Sequence, residues 1–90
     1  MSISVKKLQE DEKTSVFQVM VGKGSSSTSH EVVLEKKDQV RLGYETPEKL
    51  VKKSFEFLLT KESKESILSK FNLMDISKYF SDYEVEIKKK

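Results

Sequence analysis

The amino-acid sequence predicts an α+β fold in which an N-terminal antiparallel β-hairpin or three-stranded meander packs against about three C-terminal helices. Short segments in which apolar and polar residues alternate, the period of a half-buried strand, extend as far as Leu34. Most of the large apolar side chains come later, at helical spacing, in the segments 54–59, 67–73 and 76–80. Strand patterns followed by helix patterns are typical of the α+β class.

Three strands are expected in the first part of the chain. Residues 3–8 alternate and predict the first strand, and residues 15–21, rich in β-branched and aromatic side chains, give the strongest strand signal. Residues 22–29 form a Gly/Ser tract and predict a mobile hairpin loop. Residues 30–34 return as a third strand, so the three strands are expected to form an antiparallel meander.

The helical region begins after this meander. Residues 35–42 are followed by Gly43, which suits a short helix ended by glycine, although an extension of the third strand is an equal alternative. A stronger start signal lies at Thr46, Pro47 and Glu48, because threonine caps a helix, proline is tolerated at its first position and glutamate suits its positive end. A helix is therefore predicted from this point to Thr60.

Two or three further helical segments are predicted towards the C-terminus. Residues 63–71 carry apolar side chains at helical spacing, and Asn72 is expected to cap a further helix that runs to Phe80. Residues 83–87 fit either a helix or a last strand, and helix is favoured because the preceding apolar face continues through them.

Length, charge and composition limit the function. The 90 residues predict one small domain over 1–87 and a basic tail over 88–90. The net charge is +2, and without the three terminal lysines it is 2 − 3 = −1, so the basic character belongs to the tail. The chain has no cysteine, no apolar signal-peptide region and no run of about 18 apolar residues. These features predict a cytoplasmic protein.

The residue types that perform catalysis are few and isolated. His30 is the single imidazole, with no second metal ligand or nucleophile nearby in the sequence, and is predicted to lie on the surface. The carboxylates lie in a polar turn or alternate with lysines, which gives them no apolar surroundings to raise their pKa. The sequence therefore predicts no enzyme, no cofactor, no metal site and no small-molecule substrate.

The aromatic side chains of the second half suggest an interaction surface instead. Phe55 and Phe57 are about 200° apart around a helix, so burying both requires cover on two sides. That cover is either the sheet and the later helices or another protein. We therefore expect a non-catalytic interaction or regulatory module that binds another protein or itself, through a strand edge or the apolar helical face. The candidate contact residues are Phe55, Phe57, Tyr79 and Tyr83.

A nucleic-acid-binding protein is the alternative. Helices over 63–70 and 73–80 would form a helix-turn-helix-like C-terminal half. The second of these helices has no Arg or Gln for bidentate contacts to bases, which counts against sequence-specific binding. The cations that would approach phosphate are Lys70, Lys78, Lys88, Lys89 and Lys90.

The segments 46–50, 54–59, 65–73 and 76–80 together resemble a family of short, uncharacterised bacterial proteins with a β-hairpin before a helical C-terminal half. The motifs that carry the likeness are SFEFLL, ILSKFNL and ISKYF, and the likeness extends over residues 30–87. The resemblance implies the α+β fold and a bacterial source. It implies no activity, cofactor or catalytic residue.

Overall fold

The computed structural model describes residues 2–89, and its first three strands form the predicted antiparallel meander. They are β1 (Ser2–Glu10), β2 (Thr14–Lys23) and β3 (Ser26–Glu35). A short strand β4 (Lys70–Asn72) joins the other edge of β3 in parallel, so the sheet is mixed with the order β1-β2-β3-β4. The helices pack on one face of this sheet, which confirms the α+β class.

The connection between β1 and β2 is a tight turn closed by Asp11. Its carboxylate oxygen accepts hydrogen bonds from the backbone N–H groups of Lys13 and Thr14, each at 2.8 Å. Aspartate favours turns through such bonds to the following backbone. The pairing of β1 with β2 shifts between Lys7 and Gln9, which marks a bulge near the end of this edge strand.

The loop predicted over residues 22–29 is wrong in extent. β2 continues to Lys23 and β3 begins at Ser26, which leaves Gly24 and Ser25 as the whole turn. Gly24 has φ 63°, a left-handed conformation that a two-residue hairpin turn requires and that glycine adopts without steric cost. The Gly/Ser composition therefore reflects a tight turn between paired strands.

The helix predicted over residues 63–71 is also wrong. The segment forms a 3₁₀ turn at Lys64–Ser66 and then extends into β4, where the backbone N–H of Glu31 donates to the carbonyl of Ser69 at 2.8 Å. Ile67 and Phe71 are four residues apart, which places them on one side of a helix. The same spacing places them on one face of a strand, because successive side chains of a strand alternate between its two faces. Pairing with β3 selects the strand.

The short helix that precedes the main helix ends just before Gly43, as predicted. α1 spans Lys36–Arg41, and Gly43 has φ 79° just beyond its last turn. The backbone N–H of Gly43 donates to the carbonyl of Val40 at 3.0 Å, and that of Tyr44 donates to the carbonyl of Gln39 at 3.1 Å. These two bonds form a Schellman motif, which satisfies carbonyls that the helix itself leaves open.

The main helix α2 spans Pro47–Lys61 and begins where predicted. The side chain of Thr46 accepts a hydrogen bond from the backbone N–H of Lys49 at 3.4 Å, and Pro47 occupies the first helical position. One broad side of the helix is buried against the sheet and the later helices. Its buried residues are Leu50, Val51, Ser54, Phe55, Phe57 and Leu58.

The last part of the chain is helical but more broken than predicted. Leu73–Asp75 form a 3₁₀ turn, followed by α3 (Ile76–Tyr79) and α4 (Tyr83–Lys88). Asn72 caps this region as expected, since its Oδ1 accepts from the backbone N–H of Met74 at 3.0 Å. The helical alternative for residues 83–87 is confirmed, and α4 includes Lys88 of the predicted tail.

The chain itself covers both sides of α2. The Phe55 ring packs against His30 of β3 and Phe71 of β4, with ring centroids 5.4 and 6.0 Å apart. The Phe57 ring packs edge-on against Phe80 and Tyr83 at 5.9 and 5.4 Å.

No helix within residues 2–89 combines the length and the apolar character that crossing a membrane requires.

Candidate protein interface

An apolar groove opens between the C-terminal end of α2, the segment before β4, and α3. We call it the α2–α3 groove, and its volume is about 230 Å³. Its floor consists of the buried residues Leu58, Ile67 and Ile76 together with the half-buried rings of Phe71 and Phe80. Known small-molecule pockets are usually about 300–1,000 Å³. The groove is thus closer in size to a site for one or two side chains of another protein.

Two large apolar side chains stand at the rim of this groove. Leu68 is 55% exposed and Tyr79 is 71% exposed, although both line the groove. Single exposed apolar residues are normal on protein surfaces, but two of them beside a partly open aromatic floor form a contiguous patch. Covering this patch with another surface removes apolar area from water, which is favourable in free energy.

Contacts with β3 fix the Leu68 side of the groove. Nδ1 of His30 lies 2.8 Å from the carbonyl oxygen of Leu68, and the next residue, Ser69, accepts the backbone bond from Glu31. These two bonds hold the backbone while Ile67 points into the core, so the neighbouring Leu68 side chain points outward. The exposure of Leu68 therefore follows from the extended backbone at Ile67, just before β4.

Capping interactions fix the Tyr79 side. The Ser77 hydroxyl donates to the carbonyl of Met74 at 2.8 Å, and α3 ends at Tyr79 because Phe80 takes an extended backbone conformation with φ −130°. The turn directs the Phe80 ring to the floor, where it meets Phe57, and leaves the Tyr79 ring outside.

Charged groups border the rim. Glu62, just after α2, and Asp75, just before α3, line the groove as carboxylates. The ammonium group of Lys78 lies 3.2 Å from Asp75, and its side chain is 76% exposed. Two carboxylates, one of them paired with a lysine outside the lining, thus border the apolar centre, and a polar rim around an apolar centre is the usual arrangement of a protein–protein contact.

Of the four predicted contact residues, only Tyr79 belongs to this rim. Phe55 and Tyr83 are fully buried and Phe57 is 8% exposed, so all three are core residues in the folded chain. Burial raises the pKa of the Tyr83 hydroxyl. Leu68 was not among the predicted contact residues. Its place directly after Ile67 was the available signal, because adjacent side chains of an extended segment point to opposite sides.

The lysines of the nucleic-acid alternative are exposed but mostly compensated. Nζ of Lys70 lies 3.4 Å from Glu31, and Nζ of Lys89 lies 3.2 Å from Glu86. The Lys78 ammonium pairs with a carboxylate in the same way, Lys88 is exposed, and Lys90 lies outside the described residues. Since residues 63–70 form no α-helix, the helix-turn-helix geometry is not formed. Nucleic-acid binding itself stays a prediction.

The surface position predicted for His30 is wrong. The residue is 3% exposed, and its Nε2 lies 2.8 Å from the Thr28 hydroxyl. Because the Leu68 carbonyl only accepts, Nδ1 of the imidazole donates to it. This hydroxyl–imidazole pair resembles an activated nucleophile, but neither residue lines the α2–α3 groove.

Within residues 2–89 no three His, Asp or Glu side chains are grouped to hold a metal ion.

Lys64 is a second buried polar residue with a structural explanation. Its side chain is only 6% exposed, and its ammonium group donates to the Ser26 hydroxyl at 2.7 Å and to the Glu65 carboxylate. A buried charge requires such partners to offset the loss of hydration. The lysine thereby joins the 3₁₀ turn before β4 to the start of β3.

Comparison of the chain with models of known protein families, with curated protein sequences and with solved structures gives no match. The resemblance to the short bacterial proteins therefore stays a prediction, and the interpretation of the groove depends on its own geometry.

Proposed function

We propose that this chain is a non-catalytic interaction module that docks a protein surface in the α2–α3 groove. The observation that supports this function is the exposure of Leu68 and Tyr79 beside the half-buried rings of Phe71 and Phe80. Covering a leucine side chain completely is worth about 1.5–3 kcal/mol, and aromatic residues are enriched among those that dominate binding energy. Although the groove is small, each apolar residue that a partner covers there contributes a large share of the binding free energy.

The firm attachment of the groove to the sheet also supports docking. Leu68 is held through His30, and Asn72 caps the turn that leads to α3. A contact surface that is already ordered loses little conformational entropy when a partner binds, so more of the burial energy appears as affinity.

The experiment compares capture of proteins from the cells that produce this chain by the wild type and two variants. Leu68→Asp places a charge at the groove rim, and Val85→Asp places the same charge on α4, where Val85 is 59% exposed but does not line the groove. We expect Leu68→Asp to abolish retention of a protein that Val85→Asp still retains. Nuclease treatment separates this protein from material held through nucleic acid.

Thermal unfolding of both variants checks that each is folded before capture. The purified partner must then bind the wild type in calorimetry and lose at least about tenfold in affinity with Leu68→Asp, which corresponds to about 1.4 kcal/mol. Equal binding of wild type and Leu68→Asp to every partner, including a second copy of the chain, would refute the function.

A further inference from the structure

A polar cleft lies between the β2–β3 turn and the segment that ends α2 and leads into the 3₁₀ turn. We call it the Lys64 cleft. It is lined by Lys23 and Ser26 from the hairpin and by residues 59–65, and its volume is about 560 Å³. Small-molecule sites usually have volumes of about 300–1,000 Å³. Unlike the α2–α3 groove, this cleft is therefore large enough for a small ligand.

The Lys64 side chain places a buried positive charge in the wall of this cleft. Lysine is almost never fully buried unless it is paired, and an ammonium group has three N–H donors. Within residues 2–89 this ammonium has two acceptors, the Ser26 hydroxyl at 2.7 Å and the Glu65 carboxylate. One donor of the buried charge is therefore left for a further acceptor.

Lys23 brings a second cation to the cleft. It is the last residue of β2 and lies opposite Ser26 across the hairpin. Side chains alternate along a strand, so Lys23 is in phase with the buried Val21 and Ser26 is in phase with the buried His30. Both therefore face the helix side of the sheet. No carboxylate of the described residues lies within ion-pair distance of the Lys23 ammonium.

The Glu65 carboxylate shows where an anion is bound in this cleft. It contacts the Lys64 ammonium, although the glutamate side chain is 61% exposed and follows Lys64 directly in the sequence. The hydrogen bond from Lys64 first, then that from its own backbone and the charge of Lys23, lower the pKa of the Glu65 carboxyl. Two ammonium groups thus act on one position that an exposed side chain occupies.

We infer that the Lys64 cleft binds a phosphate group, free or esterified, which takes the place of the Glu65 carboxylate. A phosphate monoester carries about −1.5 to −2 charges at pH 7 and three acceptor oxygens, whereas the carboxylate carries one charge. It can accept at once from Lys64, from Lys23 and from the Ser26 hydroxyl, whose proton is not used in the contact with Lys64. Lysine is a common ligand of phosphate groups in proteins. This site does not depend on the α2–α3 groove.

A second carboxylate limits the affinity. Glu62 also lines the cleft, and a like charge near a bound anion opposes binding. Charge pairs that are open to water contribute little each, so we expect a dissociation constant of roughly 1–10 mM for inorganic phosphate.

NMR titration of the full chain with sodium phosphate at constant ionic strength tests the inference. At about pH 7.5, where phosphate is mostly a dianion, we expect saturable shifts of the Lys23, Ser26 and Glu65 amides. Lys23→Gln should weaken binding about three- to fivefold, and Glu65→Gln should strengthen it by a similar factor because the competing carboxylate is lost. Lys64→Gln should abolish saturation, and circular dichroism shows whether each variant is folded.

Lys52→Gln is the matched control, because Lys52 is an exposed lysine of α2 that does not line the cleft. We expect it to change the dissociation constant by less than about 1.5-fold. O-phosphoserine should bind in the same way as phosphate, and the tighter of the two identifies the source of the group. Shifts without saturation, equal constants for the wild type, Lys23→Gln and Glu65→Gln, or equal binding of acetate would overturn the inference.

Discussion

The hydroxyl oxygen of Tyr83 lies 2.6 Å from Oγ of Ser54 in the buried contact between α4 and α2. The Ser54 hydroxyl donates to the carbonyl of Leu50 at 2.7 Å, so its one proton is already used and Tyr83 must be the donor. Both residues have 0% exposure. The last helix of the chain is thus attached to the main helix by a directional polar contact inside an otherwise apolar core.

Replacement Tyr83→Phe removes this donor while keeping the ring that packs against Phe57. We expect the free energy of unfolding to fall by about 1 kcal/mol, because a net intramolecular hydrogen bond contributes about 0.5–1.5 kcal/mol. Urea denaturation measures the change. Tyr79→Phe is the matched control, since its ring is 71% exposed, and a loss no larger than that of the control would contradict the assigned bond.

His30→Phe tests the connection between β3 and the groove. Phenylalanine keeps an aromatic ring near Phe55 but leaves the Leu68 carbonyl without the Nδ1 donor that lies 2.8 Å away. The replacement removes two part-buried hydrogen bonds of the imidazole, to the Leu68 carbonyl and the Thr28 hydroxyl. Each net bond contributes about 0.5–1.5 kcal/mol, so the free energy of unfolding should fall by about 1–3 kcal/mol. Hydrogen exchange should also accelerate at the Glu31 amide, which donates to Ser69.

Glu31→Gln is the control for this prediction, because its side chain faces away from the core in an exposed pair with Lys70. We expect it to change stability by less than about 0.5 kcal/mol. Equal exchange rates at residue 31 in wild type and His30→Phe would show that the imidazole does not hold the segment before β4.

Glu10 provides a test of pH dependence. Hydrogen bonds from Lys36 first and Lys7 second, with Nζ–Oε distances of 2.6 Å each, lower the pKa of its carboxyl to about 2. The folded pKa lies below the ordinary value of 4.5 for a glutamate carboxyl, so this contribution to stability is fully present above pH 4.5 and is lost as the pH falls towards 2. Carbon-detected NMR titration measures the pKa directly.

Lys36→Gln removes the larger cause and should raise the pKa of Glu10 towards its ordinary value. The same variant should lose less stability than the wild type between pH 4.5 and 2, the interval set by the two pKa values. Lys37→Gln is a suitable control, because Lys37 pairs with Glu35 at 3.2 Å. An unchanged Glu10 titration in Lys36→Gln would contradict the assignment.

The parts of the fold that depend on neighbouring residues were predictable from sequence. The cap at Thr46, the proline after it and the apolar side of α2 are local signals, and the structure places the helix there. Gly43 likewise marked the end of α1. His30 was misplaced although it is in phase with Val32 and Leu34, so the alternation that predicted the strand also contained its inward orientation.

The parts that depend on distant residues were not predictable in the same way. β4 is only three residues long, and what stabilises it as a strand is its pairing with β3. Ile67 and Leu68 lie just before β4, and their backbone is held by the bonds from His30 and Glu31, which are distant in sequence. The groove could therefore be predicted only in part, through Tyr79. Phe55 and Phe57 required cover on two sides, and sequence alone left open whether this cover came from the same chain.

The parallel pairing of β3 with β4 has a consequence for the order of folding. His30 and Leu68 are 38 positions apart, whereas β2 and β3 are joined by a two-residue turn. Contacts of such long sequence separation bear a larger loop-closure cost and form later, and the units that form last are commonly the ones that open first in the native state. When residues 68–72 open briefly, the α2–α3 groove is lost while the three-stranded meander stays folded. A partner bound in the groove should therefore slow amide exchange first in residues 68–72.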